Sequence, residues 1–380
     1  MVRLSLDTGS VPSTRGHLAS PRDTTLLLAA MAVQQNPLDG FQSSAKRPIY
    51  EGSTQFRHWR YSREQLQDIR TSLNSEAVET IRNAFELDLP GSSASISFLN
   101  AEEELLLVKL YVGKVSQLCG HFRFPEEVEA TAISYLKRFY LKNTVMDWHP
   151  KNVMLTTLFL ATKTTNNPIS IEAYTTHIPK TSPSDVLDLE FLVAQSLNFE
   201  FQVWHAHKAL WGIYLDVQNL PNVPFDNLHE TYVQASKTIR ASRLTDAELI
   251  YAPSQIALAA FSIASPDLAL SWLKAKVGEA SLAVISDVID MINRDGNGPD
   301  VERVRDIDRR LRICKNPEKV VGSKAYLAKQ AEQEAKERAK RVKKAEEARR
   351  AMQADDPFGE ELAPRPEVTP SLDDDDDDDD

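Results

Sequence analysis

The sequence predicts an all-α protein: two successive sets of five helices, flanked by a further helix on each side and by disordered ends. Three observations carry this. Apolar residues recur at spacings of three and four through most of 61–314, which puts one greasy stripe on each helix. Capping residues and prolines punctuate these runs, with few strand-like alternations between them. The pattern also runs twice, at a period of about 100 residues, each time around a central segment apolar on nearly every side.

Residues 1–48 mix Ser, Thr, Pro, Gln and Arg without sustained periodicity, so 1–50 is expected to be a disordered extension. Its apolar run at 26–33 is too short to span a bilayer and lies deeper than the core of a signal peptide. A helix opens near Tyr61, where Ser62 and Gln65 form a capping-box pair. Leu66, Ile69, Leu73, Ala77, Ile81 and Phe85 then give its stripe, and Leu89-Pro90-Gly91 ends it; 51–97 is this helix and its linker.

The first set occupies 98–200. Asn100 caps a helix with Glu102, Glu103 and Glu104 in its first turn, where the helix dipole favours negative charge. Leu105, Val108, Val112, Val115, Cys119 and Phe122 make its stripe. Pro125 opens a second helix with Val128, Ala132, Leu136 and Phe139, and His149-Pro150 opens a third, apolar almost all round. A helix without a wet face belongs at the centre of a bundle. Pro168 and Pro183 precede two more, the last read as one helix carrying Val186, Leu189, Leu192, Val193 and Leu197. The second set, 201–298, repeats the scheme at roughly 205–217, 228–243, 253–264, 267–276 and 279–293. A charged helix occupies 299–320, an Ala/Lys/Glu/Arg helix 321–352, and an acidic disordered tail 353–380. The second of these has ten basic and five acidic residues in 324–350 and no apolar face, so it reads as a solvated single helix.

Charge narrows the function. The net −11 is not spread evenly: 355–380 carries 13 acids against Arg365 alone, which leaves the rest of the chain at +1. A balanced body gives no electrostatic reason to expect nucleic-acid binding. Cys119 and Cys314 are too few and too far apart for a disulfide framework or zinc cluster. No glycine-rich phosphate loop, His-Glu-x-x-His, Gly-x-Ser-x-Gly or Cys-x-x-Cys is present, which moves the weight from an enzyme to an interaction protein. His205 and His207, two apart, are expected to point to different sides of a helix and so not to share a metal. No cofactor is expected. His58 and Trp59, just before the helix near Tyr61, are expected to dock that helix onto the core.

Three stretches stand out: Tyr135-Leu-Lys-Arg-Phe-Tyr-Leu-Lys-Asn-Thr-Val-Met-Asp-Trp-His-Pro150, Leu244-Thr-Asp-Ala-Glu-Leu-Ile-Tyr-Ala-Pro-Ser-Gln-Ile-Ala-Leu258, and Arg57-His58-Trp59 before a Tyr-Ser helix start. All three resemble the cyclin H family. They lie in order across about 50–315 and imply two tandem five-helix cyclin boxes flanked by N- and C-terminal helices. The resemblance further implies a nuclear, non-catalytic subunit that activates a cyclin-dependent kinase. Its expected partners are that kinase, an assembly-factor subunit and the core of general transcription factor IIH, with roles in RNA polymerase II transcription and the cell cycle. No direct nucleic acid and no membrane are expected.

The resemblance also carries residues. Cyclins place a lysine at the end of the first box's third helix and a glutamate in its fifth; the matching positions are Lys163 and Glu190. Phe159 is the expected apolar contact beside them. Taken alone, Lys163 better fits a lysine satisfying terminal carbonyls than a contact residue. Glu190 has no cationic partner within its own helix and so needs one from outside. After Lys163 the family's acidic residues are replaced by Thr164-Thr165-Asn166-Asn167. Alternatives from other classes are a cyclin-fold promoter-binding factor, which needs a basic surface, and a plain helical scaffold. Of the Ser/Thr-Pro dipeptides, Ser182 and Ser265 read as helix caps, and Thr369 is the one expected phosphorylation site.

Overall fold

Caps set where the helices begin. The computed structural model describes residues 49–221, 225–276 and 282–353. Among the described residues no strand occurs. The expectations for 1–48, for Thr369 and for 354–380 lie outside them. Ile49–Gly52 form a 3-10 turn, so regular structure starts inside the expected disordered extension. Helix α1 (Thr54–His58) is capped by Ser53, and α2 (Arg63–Asp88) by the reciprocal Ser62–Gln65 box.

The first set comprises α3 (Ala101–Phe122), α4 (Glu126–Phe139), α5 (Pro150–Thr164), α6 (Ile171–Thr176), α7 (Pro183–Leu187) and α8 (Glu190–Ser196). The second comprises α9 (Ala206–Val217), α10 (Phe225–Ser242), α11 (Ala247–Ile250), α12 (Pro253–Ala264), α13 (Pro266–Lys276) and α14 (Leu282–Asp295). The greasy helices are central in both: α5 packs against α3, α4, α7 and α8, and α12 against α9, α10, α13 and α14. Leu155, Leu158, Ala257 and Phe261 are at most 1% exposed. Burying one such leucine or phenylalanine contributes about 2 kcal/mol.

One expectation fails inside the first set. The helix read as continuous after Pro183 is two, α7 and α8, broken at Asp188 and Leu189. The Val186 carbonyl, which a continuous helix would give to residue 190, accepts 3.0 Å from the buried Thr156 hydroxyl of α5. A tertiary hydrogen bond thus interrupts a helical sequence pattern.

A polar seam joins the two sets. Arg243 bonds Glu126 and Glu129 at 2.6 and 3.0 Å, and Lys137 pairs with Glu248 at 2.9 Å. Arg70 of α2 makes a two-pronged contact with Asp246, both bonds 2.7 Å. The buried His205 imidazole lies 3.0 Å from the Thr131 hydroxyl. The expectation that His205 and His207 diverge is wrong: their rings stack at 5.1 Å and 20°. His205 is the extended residue preceding α9 (φ −110°, ψ 139°), so helical spacing does not apply to the pair.

The chain then returns to the first set. Helix α15 (Val301–Cys314) places Val304, Ile307, Leu311 and Cys314 in the first core, and Arg310 pairs with Glu103 of α3. Asn316 locks the exit, its N–H donating to the Met146 carbonyl at 3.1 Å and its side chain to Asp147 at 2.6 Å. Helix α16 (Lys324–Gln353) rests its start on α2, with Ala325 buried and Lys329 paired to Glu318. From 331 to 347 every residue is exposed.

Candidate functional site

The ends of α5 and α8 bring the site together. Helix α5 begins with Pro150 after the His149 cap, whose Nδ1 accepts from the Lys151 N–H at 3.1 Å. It ends where Asn166 turns left-handed (φ 63°) and the Asn167 N–H closes onto the Thr162 carbonyl at 2.8 Å. That termination leaves Lys163 at the rim. Its Nζ lies 2.6 Å from Glu190 Oε1, at the first residue of α8. The break between α7 and α8 therefore positions Glu190 at a helix N-terminus, where a carboxylate is favoured.

Phe159 lies beneath this pair. The Lys163 ammonium is 4.4 Å from its ring centroid, a cation–π contact. Phe159 is 3% exposed, so it does not offer the surface contact area expected of it; it forms the floor of the pair against Tyr174. The exposed apolar surface is supplied by Leu187, Phe191 and Phe199, at 42%, 70% and 55%. Phe191 and Phe199 sit ring to ring at 6.1 Å, and Phe199 meets Phe201 at 6.3 Å. Sequence reasoning missed both. The available signal was that Phe191 falls off the stripe of its helix, an aromatic on the wet side. Phe199 is held by backbone geometry: Asn198 (φ 54°) and Phe199 (φ 58°) are both left-handed, unusual for non-glycine residues. The Phe199 N–H donates to the Ala194 carbonyl at 2.9 Å, closing the end of α8.

The next residue, Glu200, anchors the N-terminal helices. Its two carboxylate oxygens lie 2.6 Å from His58 Nδ1 and from the donating Trp59 Nε1. Trp59 is 1% exposed, with the Arg138 guanidinium and the Lys142 ammonium each 5.0 Å from its ring. Burial pulls the Arg138 guanidinium below its ordinary value, opposed by the carboxylates of Glu248 and Glu200. Arg60 and Tyr61 continue the tie to the second set through the Ile250 and Leu249 carbonyls, both at 2.8 Å. The latch and the exposed aromatic face thus share the short segment 198–201.

Nothing at this face is arranged for covalent chemistry, and among the described residues no group of three His, Cys, Asp or Glu side chains could hold a metal ion. No helix among them is long and apolar enough to cross a membrane. The arrangement suits docking: an apolar surface with a fixed charge pair at its edge.

Comparison with known proteins agrees with this fold. The model of the cyclin N-terminal domain matches residues 109–202, and that of the cyclin C-terminal domain matches 205–295. The chain is 33% identical over 294 residues to cyclin mcs2 of Schizosaccharomyces pombe, covering 75% of this chain and 91% of the relative. Against cyclin-H of Xenopus laevis it is 31% identical over 221 residues, 56% of this chain and 67% of the relative. The chain belongs to the cyclin H family. Its two helical sets are the two cyclin boxes, and α5 and α12 are their central helices. A chain in the structure of the CAK complex of Chaetomium thermophilum bound to ATP-gamma-S superposes on this cyclin with a TM-score of 0.66 and 26% identity. That match covers 83% of this chain and 98% of the other. A chain of the yeast TFIIK complex matches with a TM-score of 0.55 and 34% identity, covering 64% of this cyclin and 100% of itself.

Proposed function

We propose that this cyclin is the non-catalytic, nuclear subunit that binds and activates a cyclin-dependent kinase in a transcription factor IIH-type module, together with an assembly-factor subunit. The observation that carries it is the Lys163–Glu190 pair set beside exposed Leu187, Phe191 and Phe199. That the related chains come from CAK and TFIIK complexes supports the choice of partner.

The mechanism follows from what a kinase needs. A protein kinase is active only when the lysine of its third strand pairs with the glutamate of its C-helix. The first box receives that helix: the aromatic face buries its apolar side, and Lys163 and Glu190 fix its register through backbone and side-chain polar groups. Binding the active arrangement better than the inactive one shifts the kinase's own equilibrium.

Exchanging the charges, Lys163→Glu with Glu190→Lys, tests this, because the swapped pair can still form within the cyclin. The pair is partly exposed (41% and 25%), so it contributes at most about 1 kcal/mol to folding. Desolvated against a kinase, charged contacts of this kind cost about 2–5 kcal/mol when mismatched, roughly 30-fold or more in affinity. Co-purification of the kinase and its activity are expected to fall together, by more than the loss of about 1–2 kcal/mol in folding stability that follows from a lysine at the start of α8 and a carboxylate over the Phe159 ring. Normal activation by the swapped protein would sink the assignment.

A further inference from the structure

Helix α16 carries its charge unevenly. Of the ten basic and five acidic residues in 324–350, four basic ones fall within five positions with no acid among them: Lys340, Arg341, Lys343 and Lys344. The sixteen residues before them hold four basic and three acidic groups, and 345–353 holds two of each. The excess positive charge of the helix is therefore almost wholly this cluster. At 3.6 residues per turn the four side chains fit within about 160° of the circumference, so they form one face. All four are exposed, and Lys343 has a carboxylate only at 3.9 Å, on the equally exposed Glu347. Lys340–Lys343, Lys340–Lys344 and Arg341–Lys344 are like-charge neighbours at helical contact spacing, so the face repels itself.

We propose that this face is an anion-binding surface whose occupant is the run of eight aspartates at 373–380 of the same chain. The proposal is independent of the kinase reading. Charge complementarity is the first reason: residues 355–380 hold 13 acids against one arginine, while the boxes offer no comparable excess of positive charge. Reach is the second. About twenty residues separate the end of α16 from the first aspartate of the run, and at up to about 3.3 Å per residue a chain of that length reaches about 60 Å. The centre of the basic face lies about 16 Å back along the helix at 1.5 Å per residue. A tether long enough to cover that distance makes the contact intramolecular, which raises the local concentration of the aspartates at the basic face. An untethered polyanion has to compete against that. The consequence is a cyclin whose basic α16 face is withheld from nucleic acid unless a stronger anion displaces the aspartates.

Two measurements on the full chain decide it. A carbodiimide joins a lysine amine to a carboxylate only when the two touch. In the monomeric band, mass spectrometry is expected to find Lys340, Lys343 or Lys344 joined to 373–380, and these links are expected to vanish at about 0.5 M salt, where charges are screened within a few ångströms. Separately, replacing the eight aspartates by serine is expected to tighten binding of a fluorescein-labelled oligothymidine at least about tenfold by anisotropy. Adding Lys340→Gln, Arg341→Gln, Lys343→Gln and Lys344→Gln is expected to abolish that gain. Links to other lysines in preference, links only between chains, or an unchanged oligonucleotide affinity in the serine variant would each overturn the proposal.

Discussion

The Trp59–Glu200 contact can be measured as an energy. Trp59→Phe keeps an aromatic ring but removes the indole N–H together with part of the bicycle, a packing loss that cancels in a double-mutant cycle. Glu200→Ala removes the acceptor for Trp59 and the partner of His58. The Glu200 side chain is 15% exposed and Trp59 1%, so water cannot replace either partner easily. A hydrogen bond to a charged group in such a setting is worth about 1.5–3 kcal/mol. Each single substitution breaks that bond and leaves one buried group unmatched; the double substitution breaks it only once. The double-mutant cycle should therefore show a coupling of about 2 kcal/mol. Glu200→Gln, which keeps an acceptor and loses the charge, should cost about half the alanine variant. Urea unfolding followed by helical circular dichroism supplies the numbers, compared as midpoints at constant slope. Additivity to within about 0.5 kcal/mol would refute the claim that this bond secures the N-terminal helices.

Two more expectations follow from buried groups. Burial holds the pKa of His205 well below the ordinary 6.5, and His149 and His207 are shifted in the same direction, chiefly by burial. A histidine kept neutral on folding contributes stability that is complete above about pH 6.5 and lost as the pH falls, because the unfolded chain takes up the proton first. The unfolding midpoint should drop between about pH 7.5 and 5.5, and His205→Asn should flatten that slope; an unchanged slope would mean the imidazole is not the burden described. Glu104 works the other way, since burial raises its pKa. Leu311→Ala, in a helix that follows the second box, should cost about 2–5 kcal/mol and act on the first box, because Leu311 is 2% exposed in that core. Hydrogen exchange should show α3 loosened and α12 untouched; the reverse pattern would contradict the packing.

Much of this architecture is legible because local signals agree with the fold. The Ser62–Gln65 box and the Asn100 cap form as their residues imply, and the all-round apolar character of 153–163 and 253–264 identifies the central helices. What escaped the sequence depends on partners distant along the chain. The α7–α8 break needs the Thr156 hydroxyl from another helix. The stacking of His205 on His207 needs an extended residue at a helix start that helical spacing cannot foresee. The amphipathic pattern of α15 tells that it packs, but not that its surface is the first box. At the candidate site, Lys163 and Glu190 could be named from family resemblance, while Phe199 could not, since its exposure follows from two left-handed residues that no periodicity reveals.

The return of α15 to the first box has a consequence during synthesis. The first box is made early, yet Val304, Ile307, Leu311 and Cys314 are part of its core and are made only after the whole second box. At about 5–20 residues per second, that interval is on the order of ten seconds. Through it, the α3 surface that α15 later covers stays open to water and to other chains. The nascent cyclin thus has a window in which its first box is folded in outline but unsealed, and a ribosome stall or early stop anywhere in the second box leaves that greasy flank permanently bare.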